Sequence, residues 1–163
     1  MRVIGIDPGC TGFIVELDSV RKEARCLKIP FVSKTSRYID FDKIDDYFDF
    51  ATADKIVLEK VGTRPAFAAS AAFVFGVVAG QLGGFIYRYN SIEIPPHEWQ
   101  PAMIGRGEAG TTKHRACIIF ESIVGNQRER WMTHDMIDAF HLANYWLHRS
   151  GMFLKNWGFT QLK

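Results

Sequence analysis

The sequence predicts an α/β fold, a five-stranded mixed sheet flanked by helices. Three observations predict it. Near the N-terminus, short apolar runs joined by tight links read as an antiparallel meander. A later run, Lys55–Leu58, is apolar at Ile56, Val57 and Leu58, as expected of a strand buried on both faces. Towards the C-terminus, two stretches follow threonines placed as helix caps. The chain has 163 residues, 47% of them hydrophobic. That is enough for one well-packed core and too little for two large ones, so a single domain over 1–163 is expected.

Taken in order, Arg2–Ile6 is the first strand, with Val3, Ile4 and Ile6 apolar. Asp7-Pro8-Gly9 is turn chemistry. Thr11–Leu17 is the second strand, with Phe13, Val15 and Leu17 on one face, and Ala24–Val32 is the third. Ile39–Phe50 spaces Ile39, Ile44, Tyr47 and Phe48 as a helix does, with acids between them. Lys55–Leu58 is the fourth strand, parallel to the first after this helical crossover. A long helix over 66–88 follows, then a fifth strand at Ser91–Ile94, closed by Pro95-Pro96. Residues 105–110 read as a flexible glycine loop. Thr111–Val124 is a helix, and Thr133–Arg149 is a last helix, capped by Thr133 and stopped near Gly151.

Composition removes several classes. A net charge of +2 permits nucleic-acid binding without demanding it, because clustering matters more than the total. The cysteines, Cys10, Cys26 and Cys117, are odd in number and contain no CxxC pair, which argues against zinc and against a disulfide framework. A reducing cytoplasm is the simple expectation, and no signal peptide is visible before the first strand. No charged residue lies between Pro65 and Tyr87, so by length that segment could cross a bilayer. Pro65, Ser70, Gln81 and the glycines dilute it. Ala68, Ala72, Gly76, Gly80 and Gly84 recur every fourth residue, a ridge of small side chains that lets another element approach closely. A buried helix, rather than a membrane span, is the expectation.

Four acids carry the chemistry. Asp7 leaves the first strand and Glu59 leaves the fourth. If these strands pair in parallel, the two carboxylates lie side by side and repel unless a cation separates them. Asp135 and Asp138 are three apart on the last helix and so share a face. Each acid has a structural alternative. Asp7 can cap a turn, Glu59 can pair with Lys60, and Asp135 can serve the helix dipole. The dipole explains Asp138 less well, because its neighbours are apolar. Together the four form a set of hard oxygen donors suited to Mg²⁺ or Mn²⁺. Two ions about 4 Å apart could activate water and stabilise the leaving oxygen of a phosphodiester.

Ile4-Gly5-Ile6-Asp7-Pro8-Gly9-Cys10-Thr11-Gly12 resembles the opening motif of RuvC-type Holliday junction resolvases. Val57-Leu58-Glu59-Lys60-Val61 resembles their second motif. Ser70-Ala71, then Phe75-Gly76 and Gly80, resemble the helix after it. The stretch from His134 to Ala143 resembles their closing motif. The likeness runs in the same order over most of the chain. It implies a ribonuclease-H-like fold, Mg²⁺ dependence, and a homodimer that makes paired nicks across a four-way junction and leaves 5′-phosphates. Asp7, Glu59, Asp135 and Asp138 would be the catalytic metal ligands, and the helix over 66–88 would form the dimer.

The likeness has departures. Many members of that family place lysines where Gln100 and Thr111 stand here; Lys113 is a candidate substitute. A diverged or phage-type member with looser substrate choice would fit. For DNA contact the candidates are Lys60, Arg64 and Phe67 after Glu59, and Arg106, Lys113 and Arg115, with His114 among them, near the glycine loop. The alternative for each is a solvated loop or a core aromatic. His134 and His141 flank the acids; a packed histidine is the simpler reading of His141, and a partner of a metal ligand the sharper one. Trp99, Trp131, Trp146 and Trp157 read as core or interface. The other functional readings are a nuclease for other branched DNA, a non-catalytic junction binder, and a nucleotide-binding phosphotransferase. The last needs a second comparable domain, for which the chain is too short.

Overall fold

Six strands form one mixed sheet, in the order β5-β4-β1-β2-β3-β6. The computed structural model describes residues 1–33, 35–60, 62, 69–106, 112–125 and 128–162. β1 (Arg2–Ile6), β2 (Phe13–Asp18) and β3 (Glu23–Lys28) make the expected antiparallel meander. β4 (Lys55–Glu59) pairs in parallel with β1, and β5 (Ser91–Ile94) in parallel with β4.

The sheet has one strand more than expected. β6 (Gly158–Gln161) pairs in parallel with β3 at the edge. Its four residues are mostly exposed and carry no alternating pattern, because an edge strand is held largely by main-chain pairing. The anchor lies just before it, where Trp157 is fully buried.

Two helical expectations also change. The stretch Ile39–Phe50 breaks into a short helix, α1 (Phe41–Asp45), and a 3₁₀ turn at Phe50–Thr52. The Asp40 carboxylate accepts from the Lys43 main-chain N–H, and that of Asp49 from Ala51 and Thr52. Such local bonds start and stop a helix in place of extending it. Pro95-Pro96, expected only to end a strand, begin a helix, α3 (Pro96–Ile104). Pro96 takes the first helical position, where its missing N–H costs nothing.

The long helix, α2 (Ala69–Ile86), buries only Val78, Leu82 and Ile86. The expectation of a buried helix is therefore corrected: within the chain α2 is buried along one edge only. Side chains added at Gly76, Gly80 and Gly84 would meet open space, and Phe73 is 63% exposed. Within the chain, one apolar edge of α2 suffices to cover the sheet, leaving the ridge outside. Ala68, the first residue of the ridge, lies outside the described residues. By length and composition α2 is apolar enough to cross a membrane, with a mean hydropathy of 1.7.

α1 and α2 cover one face of the sheet, over a core that includes Ile4, Ile6, Ile14, Ile56 and Leu58. α3, α4 (Thr112–Val124) and α5 (His134–Arg149) cover the other, over Val3, Val15, Val57, Phe120 and Phe140. Thr133 caps α5 as expected, its hydroxyl accepting from the Met136 N–H at 3.5 Å.

One contact sets how close α5 comes to the sheet. A methyl group on Gly5 would collide with the Ala139 carbonyl oxygen and lie 2.7 Å from the Ala143 nitrogen. The α5 main chain thus rests directly on the β1 main chain. Gly5→Ala should push α5 outward, lowering stability by roughly 1–3 kcal/mol in urea unfolding, the usual range for overpacking. Unchanged stability would show that the approach has slack.

Candidate active site

The site grows from the parallel pairing of β1 and β4, in which Ile6 stands opposite Leu58. One position further along, Asp7 follows the end of β1 and Glu59 is the last residue of β4. The Asp7 main-chain N–H donates to the Phe13 carbonyl at 3.0 Å, and the Gly9 N–H donates to its carboxylate. Asp7 is only 8% exposed. At Glu59, Oε1 accepts from the Trp99 indole N–H at 3.2 Å. Asp135 in the first turn of α5, and Asp138 one turn on, are both partly buried.

The four acids lie within reach of one another's charge. Burial above all, then the charges of Glu59, Asp138 and Asp135, push Asp7 up to about 8, against the Gly9 hydrogen bond. Burial, then Glu59 and Asp135, push Asp138 up to about 7, and Lys113 opposes them. Near neutral pH, two of these carboxyls therefore hold protons for much of the time. The cluster is open: among the described residues, no three His, Cys, Asp or Glu side chains stand close enough together to enclose an ion.

The basic candidates fall in different places. Lys113 is exposed on the first turn of α4, near enough to Asp138 to stabilise its charge. Lys60 is exposed beside Glu59, its main-chain N–H donating to Ile94 at 2.9 Å. Arg106 is exposed beyond α3, and Arg115 is partly buried on α4. Arg64, Phe67 and Thr111 lie outside the described residues.

His141 is fully buried, and burial lowers its pKa to about 4. Its Nε2–H donates to the Ala116 carbonyl at 3.0 Å, and burial keeps the ring neutral. His134 lies beside the acids, with Nδ1 3.3 Å from the Cys117 sulfur. Trp99 and Trp157 are core residues, while Trp131 and Trp146 are partly buried.

Sequence reasoning overlooked Arg37. An open cleft of about 570 Å³ runs from Asp7 and Asp135 along Ala71, Val74 and Phe75 of α2, and Arg37 lines it. Gln81 fixes the Arg37 segment. Its side-chain amide donates to the Arg37 carbonyl at 2.9 Å and accepts from the Ile39 N–H at 3.1 Å. A glutamine inside an otherwise apolar helix was the one available signal.

Comparison with solved structures bears on this arrangement. The chain is similar to Thermus thermophilus RuvC, with a TM-score of 0.60 and 20% identity over 93% of this chain and 97% of that one. It is also similar to T. thermophilus RuvC in complex with Holliday junction substrate, with a TM-score of 0.60 and 16% identity over 93% and 96%. The fold is that of RuvC. No protein-family model matches the sequence, and no curated protein does. On this RuvC fold, of the ribonuclease-H-like class, two acids come from neighbouring strand ends and two from the helix resting on Gly5.

The raised acids make the metal-free protein sensitive to pH. Between the ordinary value of 3.8 and about 8, the folded chain holds protons on Asp7 and Asp138 that the unfolded chain has released. Stability should therefore fall as pH rises through that window and level off above it. Thermal melts in a chelator should show this fall, and Asp7→Asn should remove much of it. A flat profile in the parent chain would contradict the burial of like charges.

Proposed function

We propose that this chain is a metal-dependent endonuclease that resolves four-way DNA junctions by paired nicks. One observation carries the reading: Asp7 is buried on a RuvC fold within reach of the charge of three further carboxylates, and burial first, then their repulsion, pushes its pKa up to about 8. Such a set gains stability when a divalent cation neutralises it, and all-oxygen donors favour Mg²⁺ or Mn²⁺.

Asp7, Glu59, Asp135 and Asp138 would hold the metal, with two ions per site in this reading. When bound, the metal supplies Lewis acidity towards the phosphodiester and makes a nucleophile from water at neutral pH. Attack at phosphorus breaks the bond to the 3′ oxygen, leaving a 3′-hydroxyl and a 5′-phosphate. Lys113, whose charge favours an ionised Asp138, would neutralise the phosphate or protonate the departing oxygen. Arg37 would hold a neighbouring phosphate while the apolar wall of the cleft lies along the sugar and base. Lys60, Arg64, Phe67, Arg106 and Arg115 are assigned to the outer DNA contacts. The exposed ridge of α2 supports a homodimer through 66–88, whose symmetry would present two sites to one junction. Gln100 and Thr111, standing where lysines are expected, favour as a second reading a nuclease with relaxed choice among branched DNAs.

With Mg²⁺ and a four-way junction, Asp7→Asn should slow cleavage by about a thousand-fold, the equivalent of several kcal/mol of transition-state stabilisation. Full cleavage by that variant would contradict the assignment. Comparing four-way, three-way and linear substrates separates the two readings. Arg37→Ala should weaken binding and reduce the slope of log Kobs against log salt by about 0.9, the value of one phosphate contact on duplex. An unchanged slope would remove Arg37 from the interface.

A further inference from the structure

We infer that Trp99 is a positioning residue for the acid cluster: its indole N–H fixes the Glu59 carboxylate beside Asp7 and so raises the affinity of the site for a divalent cation. The inference rests on the reading of the four acids as a cation site.

Glu59 is the last residue of β4, where pairing with Ile94 of β5 holds the main chain but not the side chain. Its carboxylate lies close enough to Asp7 for each to act on the other's charge, and whenever both are ionised repulsion favours rotamers that swing Glu59 towards solvent. Ordering a glutamate side chain also has an entropic cost. The hydrogen bond from Trp99 opposes both effects, and a bond to a charged acceptor is stronger than one between neutral groups. The donor is well suited to this. The indole has one N–H and no acceptor, so it can hold a carboxylate but not compete for the cation. Trp99 is fully buried, so the loss of Glu59 would deprive a dry N–H of this partner.

Trp99 is itself held. It lies in the first turn of α3, which starts on Pro96. Its ring stacks on His141, with centroids 6.5 Å apart and planes 23° from parallel. His141 lies three residues after Asp138 on α5 and bonds to the Ala116 carbonyl of α4. A strand-end acid and the helix acids are thereby referred to one buried stack. Outer partners of this kind commonly change metal affinity by about 10–100-fold.

The test compares the full chain with Trp99→Phe, which keeps an aromatic ring and loses the N–H, and with Trp99→Leu, which loses both. Titration calorimetry with Mn²⁺ should give about ten-fold weaker binding for Trp99→Phe and no further loss for Trp99→Leu, although melting temperature falls from one to the next. A purely structural role would make affinity follow stability. Nuclear magnetic resonance of the parent chain gives a reading that needs no stable variant at position 99. With four tryptophans, the indole N–H signal that Mg²⁺ shifts in the parent chain, but not in Glu59→Gln, should be that of Trp99. Wild-type affinity in Trp99→Phe, or an indole signal indifferent to Mg²⁺, would overturn the inference while leaving the cation site standing. Failure of the parent chain to bind Mn²⁺ would instead overturn the cation site, and this inference with it.

Discussion

The position of α5 against β1 is the constraint on which the site depends. Gly5 leaves no side chain between sheet and helix, and the helix meets it with Ala139 and Ala143. Small residues on both sides bring the two main chains together. That closeness carries Asp135 and Asp138 towards the strand ends that hold Asp7 and Glu59. A larger residue at this crossing would widen the cluster and weaken the coupling among its charges. The core on that face, from Val3 to Phe140, holds the helix down against the repulsion. Four like charges in a partly dry place are unfavourable for a fold and favourable for a cation. The raised Asp7 and Asp138 are the visible mark of that tension.

Much of this was legible in the sequence, for definite physical reasons. β1 and β4 are short apolar runs buried along most of their length, β5 is bounded by Pro95-Pro96, and Thr133 marks the start of α5 by its capping hydroxyl. The acids could be placed because each follows, or lies within, such an element. Elements fixed by something other than their own pattern were harder to read. β6 is held by pairing with β3 and by the buried Trp157 before it. α3 hides behind prolines that normally signal a break, and with it hides Trp99, whose bond to Glu59 spans forty positions of sequence. Arg37 reaches the cleft through a loop tied by Gln81, a long-range contact without local periodicity.

The helix α2 shows a different limit. Its composition indicates that something lies close against it, but not on which side. In the folded chain Val78, Leu82 and Ile86 face inward, while Gly76, Gly80 and Gly84 face outward. The same helix lines the cleft through Ala71, Val74 and Phe75. A second copy docked on its outer face would therefore bear on the wall of the cleft. In the proposed dimer, assembly and substrate binding share one element, so the spacing of the two sites is set by the helix that also shapes each of them.

The central proposal is that the four carboxylates draw together around divalent cations. Anomalous diffraction from crystals soaked in Mn²⁺ tests it directly. The account predicts anomalous density among Asp7, Glu59, Asp135 and Asp138, with carboxylate oxygens of both the strand-end and the helix acids as ligands. Mn²⁺ bound elsewhere, with these four side chains unliganded, would contradict it.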